Sequence, residues 1–304
     1  MTDRLPSWRP GTTRDTLLAA LDRFEHEVPV DERVAYLDND GTMWCERPSY
    51  IQLDFFLDAL QRRVGREPSL AERPEFAAAL SGDMHEITSF GLEKVAAALV
   101  ALFAGQTPAE FAAATDEFLG RYRHPTTKAP IDGVVYQPML ELLDELRRLD
   151  FSIGIVTGGG TEFVRQVSTR LYGVEPGMVV GTLIGYTFDR DGDGRPSLRR
   201  TGEQRGAANE GGSKVEHIQS QIGRPPVLAV GNSPGDTEML EWAQAHPRGG
   251  VAALIHHDDD QREFAYESTA ATFDDAEPIT RTGARLGWVI VSMARDWHTV
   301  FAAS

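Results

Sequence analysis

Asp38 and Asp40 stand two apart in the run Asp38-Asn39-Asp40-Gly41-Thr42, directly after the apolar stretch that ends in Val34-Ala35-Tyr36-Leu37. On a continuing strand both side chains face the same way. Carboxylates this close repel unless a cation or a shared proton intervenes, and a hard, oxygen-seeking ion such as Mg²⁺ supplies that compensation. Asn232 and Asp236, in Gly231-Asn232-Ser233-Pro234-Gly235-Asp236, offer further oxygens. Thr157, with the amides of Gly158 and Gly159 read as a helix start, makes a cradle of hydroxyl and N–H donors for an oxyanion. Lys214, just after Gly211-Gly212-Ser213, adds a point positive charge. A carboxylate nucleophile, a second carboxyl, a metal, these donors and one lysine together suit phosphoryl transfer.

These residues need a scaffold that brings distant loops together. The pattern predicts an amphipathic helix over 12–26, with Leu17, Leu18, Leu21 and Phe24 at helical spacing, then a buried strand over 33–37. From about 48 to 124 the stretches 51–63, 74–80, 90–104 and 108–122 read as an all-helical insertion. The turn-rich run 124–130 closes it. Helix and strand then alternate: helix 137–149, strand 151–156, helix 161–172, a strand pair over 179–184 and 186–188, helix 214–222, strand 227–230 and helix 237–244. Apolar strands over 251–255 and 288–293 follow. Such alternation implies an α/β fold, a Rossmann-like doubly wound parallel sheet carrying an inserted α-helical cap domain. The carboxyl ends of its strands are where ligands bind. Any one polar loop could be a plain turn; three, each following an apolar strand, point to one shared crevice. The expected boundaries are a core over 1–44 and 125–304 and a cap over 45–124.

Composition narrows the partners. Lys and Arg number 30 against 46 Asp and Glu, a formal net charge of −16. Such a surface repels nucleic acid and anionic membrane at long range, so neither is expected as a partner. The single cysteine, Cys45, excludes an intrachain disulfide. No signal-like start or long apolar span stands out, and a cytoplasmic location is the default expectation.

The four polar clusters resemble the motifs of the haloacid dehalogenase superfamily. Asp38-Asn39-Asp40-Gly41-Thr42 is similar to its first motif, Thr157 to the second, Lys214 to the third and Gly231–Asp236 to the acidic fourth, in order from residue 33 to about 240. The insertion between the first two resembles the C1-type cap of phosphoserine-phosphatase-like members. The resemblance implies hydrolysis of a small phosphorylated metabolite. Asp38 would be the nucleophile that forms an aspartyl-phosphate, and Asp40 the general acid and then base. Thr157, Gly158 and Lys214 would bind the phosphoryl group, and Mg²⁺ would be held by Asp38, Asp40, Asn232 and Asp236. An acid at position 40 favours phosphate esters over carbon–halogen bonds. The alternatives are a phosphomutase on the same fold and a catalytically degenerate binding protein that keeps it. Two positions depart from the pattern. Asn232 stands where many relatives carry an aspartate, with one negative charge fewer. Nine residues after the nucleophile, where phosphoserine phosphatases hold a substrate-binding glutamate, this chain has Arg47, with Glu46 one residue earlier.

Other clusters receive plainer readings. Asp189–Gly194 resembles the opening of a calcium loop, but Arg200 occupies the twelfth position, so a solvated hairpin turn is expected. His256-His257-Asp258-Asp259-Asp260 reads as a polar loop after a strand, with one histidine able to reach the crevice. Cys45 is expected to be packed rather than nucleophilic, and Trp44, Phe55 and Phe56 to belong to cores.

Overall fold

The computed structural model describes residues 4–82, 84–270 and 277–302. In chain order, α1 (Thr12–Glu27) leads to β1 (Val34–Leu37). Five helices follow: α2 (Ile51–Val64), α3 (Pro74–Ser81), α4 (Met84–Phe90), α5 (Leu92–Ala101) and α6 (Pro108–Arg121). The alternating part runs α7 (Gln137–Arg148), β2 (Ser152–Gly160), α8 (Thr161–Tyr172) and β3 (Val179–Thr182). A hairpin of β4 (Ile184–Arg190) and β5 (Pro196–Gln204) precedes α9 (Gly212–Gln221), β6 (Leu228–Gly231) and α10 (Thr237–Gln244). The chain closes with β7 (Val251–His256), α11 (Ile279–Leu286), β8 (Val289–Ser292) and α12 (Met293–Asp296).

The chain divides into two compact units. The first comprises the residues up to Arg47, Arg123–Gly181 and those from Asn209 onward. Its six-stranded sheet has the order β3-β2-β1-β6-β7-β8. Strands β2, β1, β6, β7 and β8 run parallel to their neighbours in that series, Leu37 lying opposite Ile155 on one side and Val230 on the other. All four residues of β1 are buried, as expected of a central parallel strand covered on both faces. One covering layer packs Ile218, Met239, Leu240 and Trp288 against Tyr36, Val156 and Ala229. The strand order reverses around β1, so the loops after β1, β2 and β6 open at neighbouring positions on one edge.

The second unit comprises Pro48–Tyr122 and Thr182–Ala208. Its helical starts follow local rules: α6 opens with Pro108 in its first turn, behind a capping box in which Thr107 and Glu110 satisfy each other's backbone N–H groups. The apolar centre is aromatic. Phe55 stacks on Phe103 at 5.0 Å, and Phe111 and Phe118 meet Phe55 edge-on at 5.7 and 5.5 Å.

Residues 182–208 fall in the second unit, whereas the expected boundaries place them in the core and make the insertion all-helical. The hairpin joins the helical unit through β5. The Arg200 N–H donates to the Gln106 carbonyl (2.8 Å), and the Gly105 N–H donates back to the Arg200 carbonyl (2.9 Å). The Arg200 guanidinium lies 3.9 Å from the centre of the Phe111 ring. A side chain at Gly202 would meet the Ala101 methyl at 3.2 Å. The expected strand pair is shifted accordingly, β4 pairing antiparallel with β5 rather than with β3. Asp191 turns that hairpin, its carboxylate accepting the N–H groups of Asp193 and Arg195. Among the described residues no helix is long and apolar enough to cross a membrane.

Candidate active site

The loop after β1 turns back at once. The Asn39 carbonyl accepts the N–H groups of Thr42, Met43 and Trp44, and Gly41 takes φ +76°, a conformation suited to glycine. Asp38 is thereby fixed at the strand end, its own N–H donating to the Val230 carbonyl of β6 (2.9 Å). From the far side comes Lys214. It is placed by the start of α9, where the Gly211 N–H donates to the Gly235 carbonyl (2.8 Å). Its ammonium donates to Asp38 Oδ1 (2.6 Å), Asp236 Oδ1 (2.6 Å) and the Val156 carbonyl (3.0 Å), which uses all three of its hydrogens. Lys214 is 2% exposed and Asp236 fully buried. Burial works against the lysine's charge, but Asp236 and Asp38 hold its pKa above the ordinary value. Asp38 is pushed up by burial and by Asp236, and Lys214 opposes the shift.

Asp236 is fully engaged. Its second oxygen accepts the N–H groups of Asn232 (3.1 Å) and Ser233 (3.0 Å) and the Ser233 hydroxyl (3.2 Å), which closes the loop after β6 upon itself. Asp40 sits in a different setting. The Trp44 indole donates to Oδ1 (2.8 Å), and the Asn39 amide (3.3 Å) and Thr157 hydroxyl (3.4 Å) approach Oδ2. Burial pushes its carboxyl above the usual range, and those three donors restrain the shift. Two neighbouring acids thus differ in kind, one paired with an ammonium and one held by neutral donors.

Thr157 is buried within β2, and its hydroxyl accepts the Gly159 N–H (2.9 Å). The three glycines after it continue the strand, and the helix starts only at Thr161, so Gly158 and Gly159 are not at a helix start as expected. Close packing favours the extended path: a side chain at Gly181 would fall 2.8 Å from the Gly159 carbonyl and 3.0 Å from the Thr161 nitrogen. Asn209 secures this segment, donating to the carbonyls of Thr157 (2.8 Å) and Val180 (3.3 Å).

Several residues around the first loop were not singled out as site residues by sequence reasoning. Asn232 Nδ2 donates to Glu46 Oε1 (3.1 Å) and to the Ser268 hydroxyl (3.2 Å), while the Thr42 hydroxyl donates to its Oδ1 (3.4 Å). Glu46 is 6% exposed and also accepts from the Tyr266 hydroxyl (2.8 Å). Burial raises its pKa, against His257 and Tyr266. His257 meets the Gly41 carbonyl with Nε2 (2.9 Å) and Glu263 with Nδ1 (3.3 Å). The same glutamate accepts from the Tyr136 hydroxyl (2.9 Å) and the Cys45 thiol (3.1 Å). Burial alone would push Glu263 up; its bonds to His257, Phe264 and Cys45 hold it below the usual carboxylate range. Cys45 is buried, and burial beside Glu263 raises its thiol pKa, which suits packing rather than attack. The only sequence signals for this network were the histidine pair after a strand and a glutamate just beyond the first motif.

Asp38, Asp40 and Asp236 set three carboxylates against the single ammonium of Lys214, leaving a formal charge of −2 when all are ionised. That excess, with oxygen donors only, fits a hard divalent cation such as Mg²⁺. Among the described residues no three His, Cys, Asp or Glu side chains form a ready-made metal cluster. The oxygens that could hold such an ion are the Asp38 carboxylate, the Asp40 backbone carbonyl and the Asn232 amide, with water; the expected ligand Asp236 has both oxygens engaged. Mg²⁺ characteristically keeps several waters.

The sequence profile of the haloacid dehalogenase-like hydrolases matches residues 35–241. No curated protein matches the chain. Among solved structures, a protein of unknown function from Bordetella pertussis is 18% identical, with 86% of this chain and 98% of that one covered and a TM-score of 0.52. A functionally unknown protein from Anaerococcus prevotii is 13% identical, with 91% of each chain covered and a TM-score of 0.54. These likenesses concern the fold.

Proposed function

The chain belongs to the haloacid dehalogenase-like hydrolases, and from that premise we propose that it is a Mg²⁺-dependent phosphomonoester hydrolase acting on a small phosphorylated metabolite. The observation that carries this reading is the pairing of a lysine-bound aspartate with a second, differently held aspartate two residues on. Lys214 grips Asp38 by Oδ1, which leaves Oδ2 to attack phosphorus in line. The P–O bond to the substrate alcohol breaks as the bond to Asp38 forms, giving an aspartyl-phosphate. Asp40, favoured in its acid form by burial, delivers its proton to the departing alkoxide. As a carboxylate it then takes a proton from the water that attacks phosphorus and frees Asp38. The Thr157 hydroxyl and the Gly158 N–H are the donors for the phosphoryl oxygens, and the buried ammonium of Lys214 offsets the charge gathered there.

A bound Mg²⁺ would supply further positive charge at the phosphoryl oxygens. Asp38, the Asp40 carbonyl and Asn232 are the residues proposed to hold it. Asp236, whose two oxygens are already bonded, acts by fixing Lys214 and the Asn232 loop. By its insertion after the first motif the second unit is read as the cap, with the hairpin of β4 and β5 as part of it. The test is phosphate release from p-nitrophenyl phosphate and a panel of phosphorylated metabolites, with Mg²⁺ present. Turnover of at least one ester is expected, and Asp38→Asn should cut it by roughly 10⁴-fold or more. No release across the panel, or an undiminished Asp38→Asn variant, would sink the proposal.

A further inference from the structure

An aspartate in the loop after β6 would bring a cation both an oxygen and a negative charge. Asn232 brings only the oxygen, and only if its amide faces the right way. An amide can turn either end toward a ligand, and its two ends are told apart by what surrounds them. Here the surroundings decide. Glu46 Oε1 lies 3.1 Å from Nδ2 and the Ser268 hydroxyl 3.2 Å from it, whereas the Thr42 hydroxyl donates to Oδ1. A carboxylate only accepts, so it fixes the nitrogen on the side of Glu46 and Gly41 and turns the oxygen toward the Thr42 hydroxyl. The amide nitrogen and Glu46 Oε1 both press on the first loop at Gly41. A Cβ added at Gly41 would fall 2.0 Å from Asn232 Nδ2 and 2.8 Å from Glu46 Oε1. The carboxylate therefore lies against the residue that follows Asp40.

Glu46 is held in this post. Oε1 accepts from the Tyr266 hydroxyl as well as from Asn232, and the Arg47 guanidinium lies 4.4 Å from the centre of the Tyr266 ring. With that oxygen doubly bonded and the side chain buried, Glu46 is placed to act on the loops rather than to grip a substrate ammonium.

Resting on the cation-dependent reading above, we propose that Glu46 and Asn232 together replace one aspartate ligand. Asn232 supplies the oxygen to the divalent cation, and Glu46 is the positioning residue that orients the amide and supplies the missing negative charge from behind it. Partners behind a metal ligand tune both its orientation and its donor strength. The charge is thus moved one residue back and not lost.

The experiment is a charge exchange read by Mn²⁺ binding, with calorimetry or the spin-resonance signal of free Mn²⁺, in the full-length protein without substrate. Glu46→Gln keeps the shape and removes the charge, and should weaken Mn²⁺ affinity about 10- to 100-fold. Adding Asn232→Asp to it restores the charge at the ligand itself, and should recover affinity to within about threefold of wild type. A purely structural glutamate would let Asn232→Asp strengthen binding as much in the wild-type background as in Glu46→Gln, whereas a charge exchange makes the gain larger in Glu46→Gln. Unchanged affinity in Glu46→Gln, or a double variant that binds no better than the single one, would overturn the inference while leaving the phosphatase reading intact. If Glu46→Gln does not fold, the double variant decides alone: near-wild-type affinity supports the pairing and failure to bind overturns it. A wild-type protein that binds no Mn²⁺ would remove the cation-dependent reading, and this inference with it.

Discussion

The two units bury opposite kinds of material. The first hides Asp38, Asp236 and Lys214 beside β1, with Glu46 and His257 close to the same loop, each joined to a named partner. The second hides the rings of Phe55, Phe103, Phe111 and Phe118, and many of its charged pairs, such as Arg62 with Asp58 and with Glu117, lie at the surface. Apolar packing is forgiving, because a ring exchanged for a smaller apolar group loses contacts in proportion to its area. A buried ion network is not. Removing one member leaves its partner charged and without compensation. The proposed chemistry thus falls where substitution is least tolerated.

Lys214→Met should expose this difference most strongly. Two buried carboxylates lose their common cation, at a cost of about 3–5 kcal/mol by urea unfolding near pH 8. The loss should shrink as pH falls, because Asp38, already pushed up by burial, takes up a proton in the folded state. A pH-independent loss would show that the network is not electrostatic in origin.

Phe103→Leu in the second unit should cost roughly 1–2 kcal/mol, equal at pH 5 and pH 8, since no charge is involved. A marked pH dependence there would erase the contrast between the units.

A smaller effect comes from Glu162, at the start of α8. Burial raises its pKa to about 7, above its unfolded value. The folded protein then binds the proton more tightly, so stability tied to this group is full at low pH and is lost as pH rises toward 7. Glu162→Gln should stabilise by about 1 kcal/mol at pH 8, after discounting for partial exposure, and by nothing near pH 4. Equal stabilities of the two proteins at pH 8 would refute it.

Trp44→Phe should produce the mildest change, a displacement of a pH profile. The indole N–H favours the Asp40 carboxylate, and its loss should move the alkaline limb of kcat/KM for phosphate release to higher pH. A limb that stays in place would mean that another group sets it.

Much of the site was legible because its signals are local. An apolar tetrapeptide before Asp38, a strand before Thr157 and another before Asn232 announce three buried strands with polar ends, and parallel strands place such ends together. The lysine was legible as a charge near a helix start, but its use was not. In the folded chain all three of its hydrogens are committed to Asp38, Asp236 and Val156, a matter of distances between segments far apart in sequence. The same holds for the hairpin over 182–208. Its first strand and its turn at Asp191 were read locally and its second strand, β5, was not; its place beside α5 and α6 depends on Gly202 meeting Ala101 and Arg200 covering Phe111.

The amino-acid sequence by itself determined the alternation that makes the parallel sheet, the order of the polar loops and the chemical types available to them. Periodicity and turn chemistry act over a few residues and need no knowledge of the fold. Only the tertiary structure decided which acid is paired with the lysine, which is held by neutral donors, and that Glu46, Tyr266, His257 and Glu263 gather behind the first loop. Glu46 and Tyr266 lie 220 residues apart in the chain. Only burial in a shared low-dielectric space makes such a pair matter, and burial is a property of the packed whole.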